Sequence, residues 1–170
     1  MQTLEYETST GHKLTLRPVS PFLLARVEGS VELPAAPAYQ IETATGETET
    51  RAHDETTLTT DEERGMWKDY LTRLADARAL LRERKVHLIL SRGVVVDVPD
   101  GWEDEQRELG LSIPDNPTDR RVHYILTEMI GSQSDVLAIM EAVYNLAGVN
   151  ARMLETARAS FRDQMEGEGD

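Results

Sequence analysis

The stretch TDEERGMWKDYLTRLADARALLRERKVHLILSR, from Thr60 to Arg92, decides the fold of this chain. Thr60 followed by Glu63 has the spacing of a capping box, in which each side chain accepts a hydrogen bond from a backbone N–H at the helix start. Apolar residues then recur on one helical face, at Trp67, Tyr70, Leu71, Leu74, Ala77 and Leu81. Gly93 is a typical stop. The pattern predicts one long helix, about 45 Å in length at roughly 1.5 Å per residue.

Two interpretations of the end of this helix stay open. In the first, the helix continues through Leu90 and an extended strand follows over Val94–Val98. In the second, residues 86–98 form a β-hairpin in which Ser91–Gly93 is a three-residue loop. We favour the helix because the apolar stripe reaches Leu90 without a break.

The segments before the long helix are short, rich in turn residues and typical of β-structure. Residues 3–7 and 13–17 alternate between apolar and polar side chains around the turn Ser9–Gly11, which predicts an N-terminal hairpin. Ser20–Pro21 is a typical helix start, and a short helix follows that closes at Gly29.

Residues 30–59 contain little that could build a core. The prolines Pro34 and Pro37 bracket an extended linker, and residues 39–43 and 47–51 then read as two strands joined at a glycine turn. This ribbon is polar on both faces, and an isolated hairpin of this kind is marginal in water. We expect an arm that is mobile when alone and is ordered by a neighbour.

After the long helix, caps and glycine or proline boundaries predict a series of shorter helices. These run over residues 100–109 with Asp100 as cap, 117–130 with Asn116 as cap, 133–147 with Ser132 as cap, and 150–165 with Asn150 as cap. In residues 122–130 the apolar positions fall at helical spacing, at Val122, Ile125, Leu126, Met129 and Ile130.

These elements together predict an α+β fold: a mainly α-helical body around one long helix, with a small N-terminal β-hairpin and an extended β arm. The predicted domains are residues 1–29 for the hairpin and short helix, 30–59 for the polar arm, 60–165 for the helical body, and 166–170 for a disordered acidic tail.

Composition excludes several classes of function. The chain has 170 residues and a formal net charge of −13, which disfavours nucleic acid and anionic membrane surfaces as partners. It has no cysteine, so disulfides and cysteine-based metal sites are excluded. Neither a signal peptide nor an apolar run long enough for a bilayer is evident. We expect a soluble, cytoplasmic protein.

Signatures of catalysis are missing from the sequence. The four histidines form no metal-binding pair, and His53–Asp54–Glu55 is the one place where a histidine adjoins carboxylates; we expect a solvated loop there. The acidic clusters lie at helix starts and in the tail, where capping and solvation explain them. No phosphate-binding glycine loop or nucleophile elbow occurs. We therefore predict no enzymatic activity, no cofactor and no metal.

A partner-binding surface is the remaining candidate site. The start of the long helix is rich in large apolar side chains that have few obvious sequence neighbours to bury against. The arm contributes two further apolar positions on one strand. The candidate partner-binding residues are Met66, Trp67, Tyr70, Leu74, Tyr39 and Ile41.

The overall pattern resembles the small tail-assembly proteins of tailed bacteriophages, in particular the tail assembly chaperones. The likeness rests on four segments: residues 16–24 after the strand pair, the proline-rich residues 33–39, the polar arm that ends at residues 53–55, and residues 123–131. It implies a mostly helical, non-enzymatic protein that coats the tape-measure protein while the tail tube polymerises around it. The β arm departs from a purely helical chaperone.

Two functions therefore compete. The first is a tail-assembly chaperone that binds tape-measure or other tail-protein helices in the host cytoplasm. The second is a structural virion protein of the tail or the head–tail junction, with the arm as an inter-subunit clip. Either one implies tail-protein partners, such as the tape-measure or tail-tube protein, and a homo-oligomer, without nucleic acid or membrane.

Overall fold

The computed structural model describes residues 2–148, so the predicted final helix over residues 150–165 and the tail 166–170 lie outside the described part. The fold is α+β, as predicted. In chain order the elements are β1 Leu4–Glu7, β2 Lys13–Leu16, α1 Pro21–Glu28, β3 Ala38–Glu42, β4 Thr48–Ala52, a 3-10 turn Glu55–Thr57, α2 Asp61–Gly93, β5 Val94–Val95, α3 Trp102–Glu108, α4 Pro117–Tyr124, a π-helical segment Ile125–Met129, and α5 Gln133–Leu146.

The chain divides into two compact units. Within the described residues, 2–26 and 85–148 form one, which we call the core unit, and residues 27–84 form the other, which we call the arm unit. The long helix α2 runs through both, because its first turns belong to the arm unit and its last turns to the core unit. The predicted domain bounds, with a boundary at residue 60, stay a prediction. The buried residues of α2 all lie in its last turns, at Ile89, Leu90, Ser91 and Gly93.

The core unit contains a three-stranded antiparallel sheet in the order β1-β2-β5. Leu4 pairs with Leu16 across the predicted hairpin, and Leu16 pairs in turn with Val94 of β5. The helical interpretation of residues 86–98 is therefore confirmed and the hairpin interpretation is wrong. The strand that follows the helix is only Val94–Val95, shorter than the predicted Val94–Val98.

One cluster of buried side chains holds the core unit together. Gly93 shows how closely the end of α2 approaches it, since a Cβ at this position would lie 3.0 Å from both γ carbons of Val143 and 3.2 Å from Val19. The fully buried members of the cluster are Leu14, Leu16, Ile89, Leu90, Val94, Ile125, Ile139 and Val143.

The segment Ile125–Met129 corrects one prediction. A regular helix was expected to continue to Ile130, but the backbone widens into a π-helix, in which the N–H of Ile130 donates to the carbonyl of Ile125 at 3.0 Å. The wider turn rotates Leu126 off the apolar face and leaves it 41% exposed, while Ile125 and Met129 stay buried. The hydroxyl of Thr10 donates to the carbonyl of Met129 at 2.8 Å, which gives that carbonyl a partner outside the helix.

The helix caps are mostly as predicted. The side chain of Asn116 accepts from the N–H of Thr118 at 2.8 Å, and Ser132 accepts from the N–H of Asp135 at 3.3 Å. At α3 the prediction was wrong by one position, because Gly101, at φ 88°, occupies the cap position expected for Asp100. A left-handed residue there turns the chain into the helix, and glycine adopts this conformation without strain.

The arm unit contains the predicted second hairpin, β3–β4, as a separate two-stranded sheet. Tyr39 pairs with Arg51 and Ile41 pairs with Glu49. Burial alternates along β3, where Tyr39 and Ile41 are half-buried, whereas every residue of β4 is exposed. The hairpin therefore has one weakly apolar face and one fully solvated strand.

Candidate partner-binding surfaces

The start of α2 is built from the predicted capping box. A single carboxylate oxygen of Glu63 accepts from the backbone N–H groups of Thr59 and Thr60 at 2.7 and 2.9 Å, and the hydroxyl of Thr60 accepts from the N–H of Glu63 at 3.1 Å. These hydrogen bonds, first the one from the backbone of Thr60, lower the pKa of Glu63 to about 2. The arrangement starts the helix without help from buried contacts.

This cap has a measurable pH signature. Since the pKa of Glu63 is depressed from its ordinary value of 4.5 to about 2, the cap stabilises the helix start above pH 4.5 and is lost as the pH falls through 2. We expect an NMR titration of the Glu63 carboxyl carbon to give a midpoint near 2. Thr59→Ala should raise that midpoint, because it removes a hydroxyl that donates at 2.9 Å. A midpoint close to 4.5 in the unmodified protein would contradict the capping box.

Half-buried residues follow one face of α2 through the arm unit. We call this face the α2 seam; its members are Trp67, Tyr70, Leu74, Ala77 and Leu81. Their spacing alternates between three and four residues, which is the spacing of the contact positions of a coiled coil. The rings of Trp67 and Tyr70 lie against each other, with centroids 5.1 Å apart. The seam therefore offers a continuous row of large and small apolar side chains.

The seam is incompletely covered. Within residues 27–84 the one buried side chain is that of His53, and no residue of α2 before Ile89 is buried. Beside the seam, Met66 and Leu71 are each 46% exposed. Helices in proteins gain most of their stability by packing an apolar face against something. The arm unit thus keeps a long helix without the buried apolar contacts that the core unit has.

The candidate residues from the sequence fall on two elements. Trp67, Tyr70 and Leu74 lie on the seam of α2, with Met66 beside it, and the remaining two lie on one face of β3. The periodicity of the sequence placed the first group correctly on one helical face. Whether they bind a partner stays a prediction.

The segment around His53 corrects another expectation. Instead of lying in a solvated loop, the His53 side chain is 6% exposed and packs on the ring of Tyr39 at a centroid distance of 4.6 Å. Its Nδ1 lies 3.1 Å from the hydroxyl of Thr57, and its backbone N–H donates to the carbonyl of Pro37 at 2.7 Å. The side chain of Asp54 then caps the 3-10 turn, and its hydrogen bond from the Thr56 hydroxyl lowers the pKa of Asp54. Aromatic stacking thus closes the base of the hairpin.

The sequence pattern did not indicate that the buried carboxylate of Asp135 joins segments that are distant in the chain. The carboxylate accepts from the N–H and the hydroxyl of Ser9 at 2.9 and 2.6 Å, from the Tyr6 hydroxyl at 3.1 Å and from the N–H of Gly131 at 3.1 Å. These donors, first the Ser9 hydroxyl, lower the pKa of Asp135 to about 2. It therefore stays ionised near neutral pH and ties the β1–β2 turn to the start of α5. The spacing from Ser132 to Asp135 indicates only a cap.

Two further polar contacts join helices of the core unit. His87 Nε2 lies 2.7 Å from a carboxylate oxygen of Asp119, which links α2 to α4. Glu103 of α3 accepts from Arg120 and from Arg107, and the hydrogen bond from Arg120 is the largest reason that the pKa of Glu103 is lowered. Within residues 2–148 no group of three histidine or carboxylate side chains is placed to hold a metal ion.

A groove of about 410 Å³ lies between β1 and α5 in the core unit. Its floor on the α5 side includes two alanines one helical turn apart, Ala138 and Ala142, whose side chains are small. In the described sheet β1 is an edge strand, with β2 on one side. The groove is lined by Gln2, Leu4, Tyr6, Ala138, Glu141, Ala142, Asn145 and Leu146. The sequence contained no signal for this groove, because its two walls are far apart in the chain.

Comparison of the chain with protein families, curated proteins and solved structures finds no match. Across residues 2–148, every helix is too short or too polar to cross a membrane.

Proposed function

We propose that this protein is a non-enzymatic assembly protein that covers an amphipathic helix of a partner with the α2 seam. The observation that carries the proposal is the contrast along α2. Its last turns are packed into a core, while the turns that contain Trp67, Tyr70 and Leu74 leave their apolar face half open.

The chemistry of the seam favours a helix as the occupant. Positions that alternate by three and four residues match the ridges of a second helix, whereas an extended strand repeats every two residues. Completing the burial of a large apolar side chain contributes about 1 kcal/mol, so several seam residues together give useful affinity. Ion pairs such as that of Arg73 with Asp69 flank the seam. Their charged side chains keep the surface beside the seam hydrated.

The resemblance to tail assembly chaperones supplies the setting of the proposal. Tape-measure proteins are long amphipathic helices that aggregate when their apolar faces are bare. A protein with a half-open seam and a net charge of −13 would cover such a face and keep the complex in solution. In this setting the partner is the tape-measure protein or another tail protein, and the site of action is the host cytoplasm.

The experiment is coexpression with a tape-measure segment from a tailed phage whose genome encodes this chain. We expect the unmodified protein to keep the segment in the supernatant after lysis. Leu74→Asp should return most of the segment to the pellet, because it places a charge in the middle of the seam. The control Ala79→Asp makes the same change of charge five residues further along, where the side chain is exposed and faces away from the seam.

Both outcomes are informative. A segment that stays in the pellet with the unmodified protein would contradict the chaperone function. A loss that is equal for both variants would show that binding does not use the seam. Near-ultraviolet circular dichroism of each variant checks that the core unit is folded, since the buried Trp102 reports on it.

A second candidate function, a structural virion protein, is favoured by the β3–β4 hairpin. It is a two-stranded sheet whose outer edges are unpaired among residues 2–148, and free edges add strands from neighbouring chains. Mass spectrometry of purified virions separates the candidates, because a structural protein persists in virions and a chaperone does not.

A further inference from the structure

We propose that β3 of a second copy of this protein pairs antiparallel with the free edge of β1 and places Tyr39 and Ile41 in the groove between β1 and α5. None of its residues belongs to the α2 seam, so it does not depend on the chaperone function, whereas it deepens the second candidate function by naming the site to which the hairpin adds. It would join copies of the chain in an arm-to-groove manner.

The groove has the features of a site for strand addition. Because β1 is an edge strand of the described sheet, half of its backbone hydrogen-bonding groups face outward without a strand partner. On the groove side, Leu4 is 44% exposed and Tyr6 is half-buried. Opposite them, Ala138 and Ala142 are small and leave space for two large side chains.

The arm is matched to this site. Tyr39 and Ile41 are two residues apart on one face of β3, as Leu4 and Tyr6 are on β1. Neither arm residue finds full burial in its own unit. A strand that added to β1 would therefore bring a second pair of apolar side chains to the same face of the sheet, where α5 covers them.

Charge selects the direction of pairing. In the antiparallel register with Ile41 opposite Leu4, Tyr39 lies opposite Tyr6, and the neutral Gln40 lies opposite Glu5. In the parallel alternative that aligns the same apolar pairs, Glu42 would lie opposite Glu7, and like charges directly opposite each other are destabilising. The antiparallel register avoids this repulsion.

A second copy of β1 is a poorer occupant than β3. Antiparallel self-pairing centred on Glu5 would place that glutamate opposite its own copy, and self-pairing centred on Tyr6 would place Glu5 opposite Glu7. Both arrangements bring carboxylates together at the centre of the added strand. The arm of a second copy supplies the same backbone groups without this repulsion.

The interface is head-to-tail, since each copy would offer an arm and receive one. Such interfaces generate a closed ring when the rotation between copies closes, and an open chain when it does not. Association should therefore depend on protein concentration and give either a closed ring, of which a reciprocal dimer is the smallest, or an open chain.

Sedimentation velocity over a range of protein concentrations tests self-association. We expect the unmodified protein to shift from monomer to larger species as its concentration rises. Ile41→Asp should weaken association by roughly tenfold or more, because a carboxylate would enter the apolar groove. The control Thr50→Asp adds the same charge on β4, at an exposed position outside the paired strand, and should associate as the unmodified protein does. A protein that sediments as a monomer throughout would overturn the proposal.

Disulfide trapping tests the register, and the absence of native cysteines makes the result unambiguous. A mixture of the Glu5→Cys protein with the Gln40→Cys protein should form a crosslinked heterodimer on oxidation, because opposed Cβ atoms in an antiparallel pair lie about 5 Å apart. The control mixture of Glu5→Cys with Thr50→Cys should not crosslink, since Thr50 lies one strand further away, at about 10 Å.

Three crosslinking outcomes would overturn the proposal. The first is the absence of the Glu5–Gln40 heterodimer although the protein associates, which would assign association to another surface. The second is equal crosslinking in the control mixture. The third is a disulfide that forms only within single chains of the double variant Glu5→Cys/Gln40→Cys, which would make the chain's own arm the occupant.

Discussion

Replacing Leu90 with alanine is expected to lower the free energy of unfolding by about 3 kcal/mol, whereas Leu80→Ala is expected to lower it by less than about 1 kcal/mol. Both leucines lie on α2 and the chemical change is identical. Leu90 is fully buried in the core cluster, so truncation removes its transfer free energy and leaves a cavity. Leu80 is 41% exposed on the part of the helix that belongs to the arm unit.

Urea unfolding followed by far-ultraviolet circular dichroism gives the two free energies of unfolding. The comparison is direct when the slope of the free energy against urea concentration is the same for both variants. The comparison bears directly on the division of α2 into a packed end and an open stretch. Equal losses for the two variants would mean that Leu80 is packed as tightly as Leu90, which would contradict the division of α2 into a packed end and an open stretch.

Replacing Asp135 with asparagine is expected to lower the midpoint of thermal unfolding by roughly 10 °C. Asparagine has nearly the same shape, but its NH₂ group cannot accept a hydrogen bond. At least one of the donors from Ser9, Tyr6 and Gly131 would then face another donor in a site that is only 4% exposed. The variant would detach the β1–β2 turn from the start of α5. The two segments lie close together there, because a Cβ added to Gly131 would lie 2.5 Å from Thr10 Cγ2.

The contribution of Asp135 to the stability of the fold depends on pH in a definite direction. The pKa of Asp135 is depressed from 3.8 to about 2 in the folded protein, so its contribution to stability is complete above pH 4 and is lost as the pH falls through 2. Thermal unfolding measured between pH 5 and pH 2 should therefore show a shallower decline for Asp135→Asn than for the unmodified protein.

Asp104→Asn is the matched control for this prediction. The side chain of Asp104 is 79% exposed and pairs with Arg107 on the surface of α3, and exposed pairs of this kind contribute little. Its unfolding midpoint should stay close to that of the unmodified protein. A similar midpoint for Asp135→Asn would show that the turn at Ser9 is held by other contacts.

Local signals in the sequence were sufficient for several elements. The capping box at Thr60 and Glu63, the stop at Gly93 and the turn before His12 each depend on residues close in the chain, so periodicity and cap spacing predicted α2 and the first hairpin. The helical spacing of Trp67, Tyr70 and Leu74 likewise placed the candidate seam on one face. Its incomplete burial was expected from the scarcity of apolar residues in the arm.

Contacts between distant segments account for the features that the sequence did not predict. The hydroxyl of Thr10 donates to the carbonyl of Met129 where the backbone widens into a π-helix. No local sequence pattern indicates that widening. His53 is buried because the ring of Tyr39, on the neighbouring strand β3 at the same end of the hairpin, lies against it. In both cases the decisive partner is brought in by folding.

The sequence by itself determined the long helix, the two hairpins and the lack of an apolar core in residues 30–59, because these follow from interactions within a few residues and from composition. Tertiary structure decided which end of that helix is packed, how Asp135 holds the first turn, and where a groove opens beside β1. Each of these requires side chains up to 129 positions apart to meet, as Tyr6 and Asp135 do, and such a meeting depends on the packing of the whole core unit.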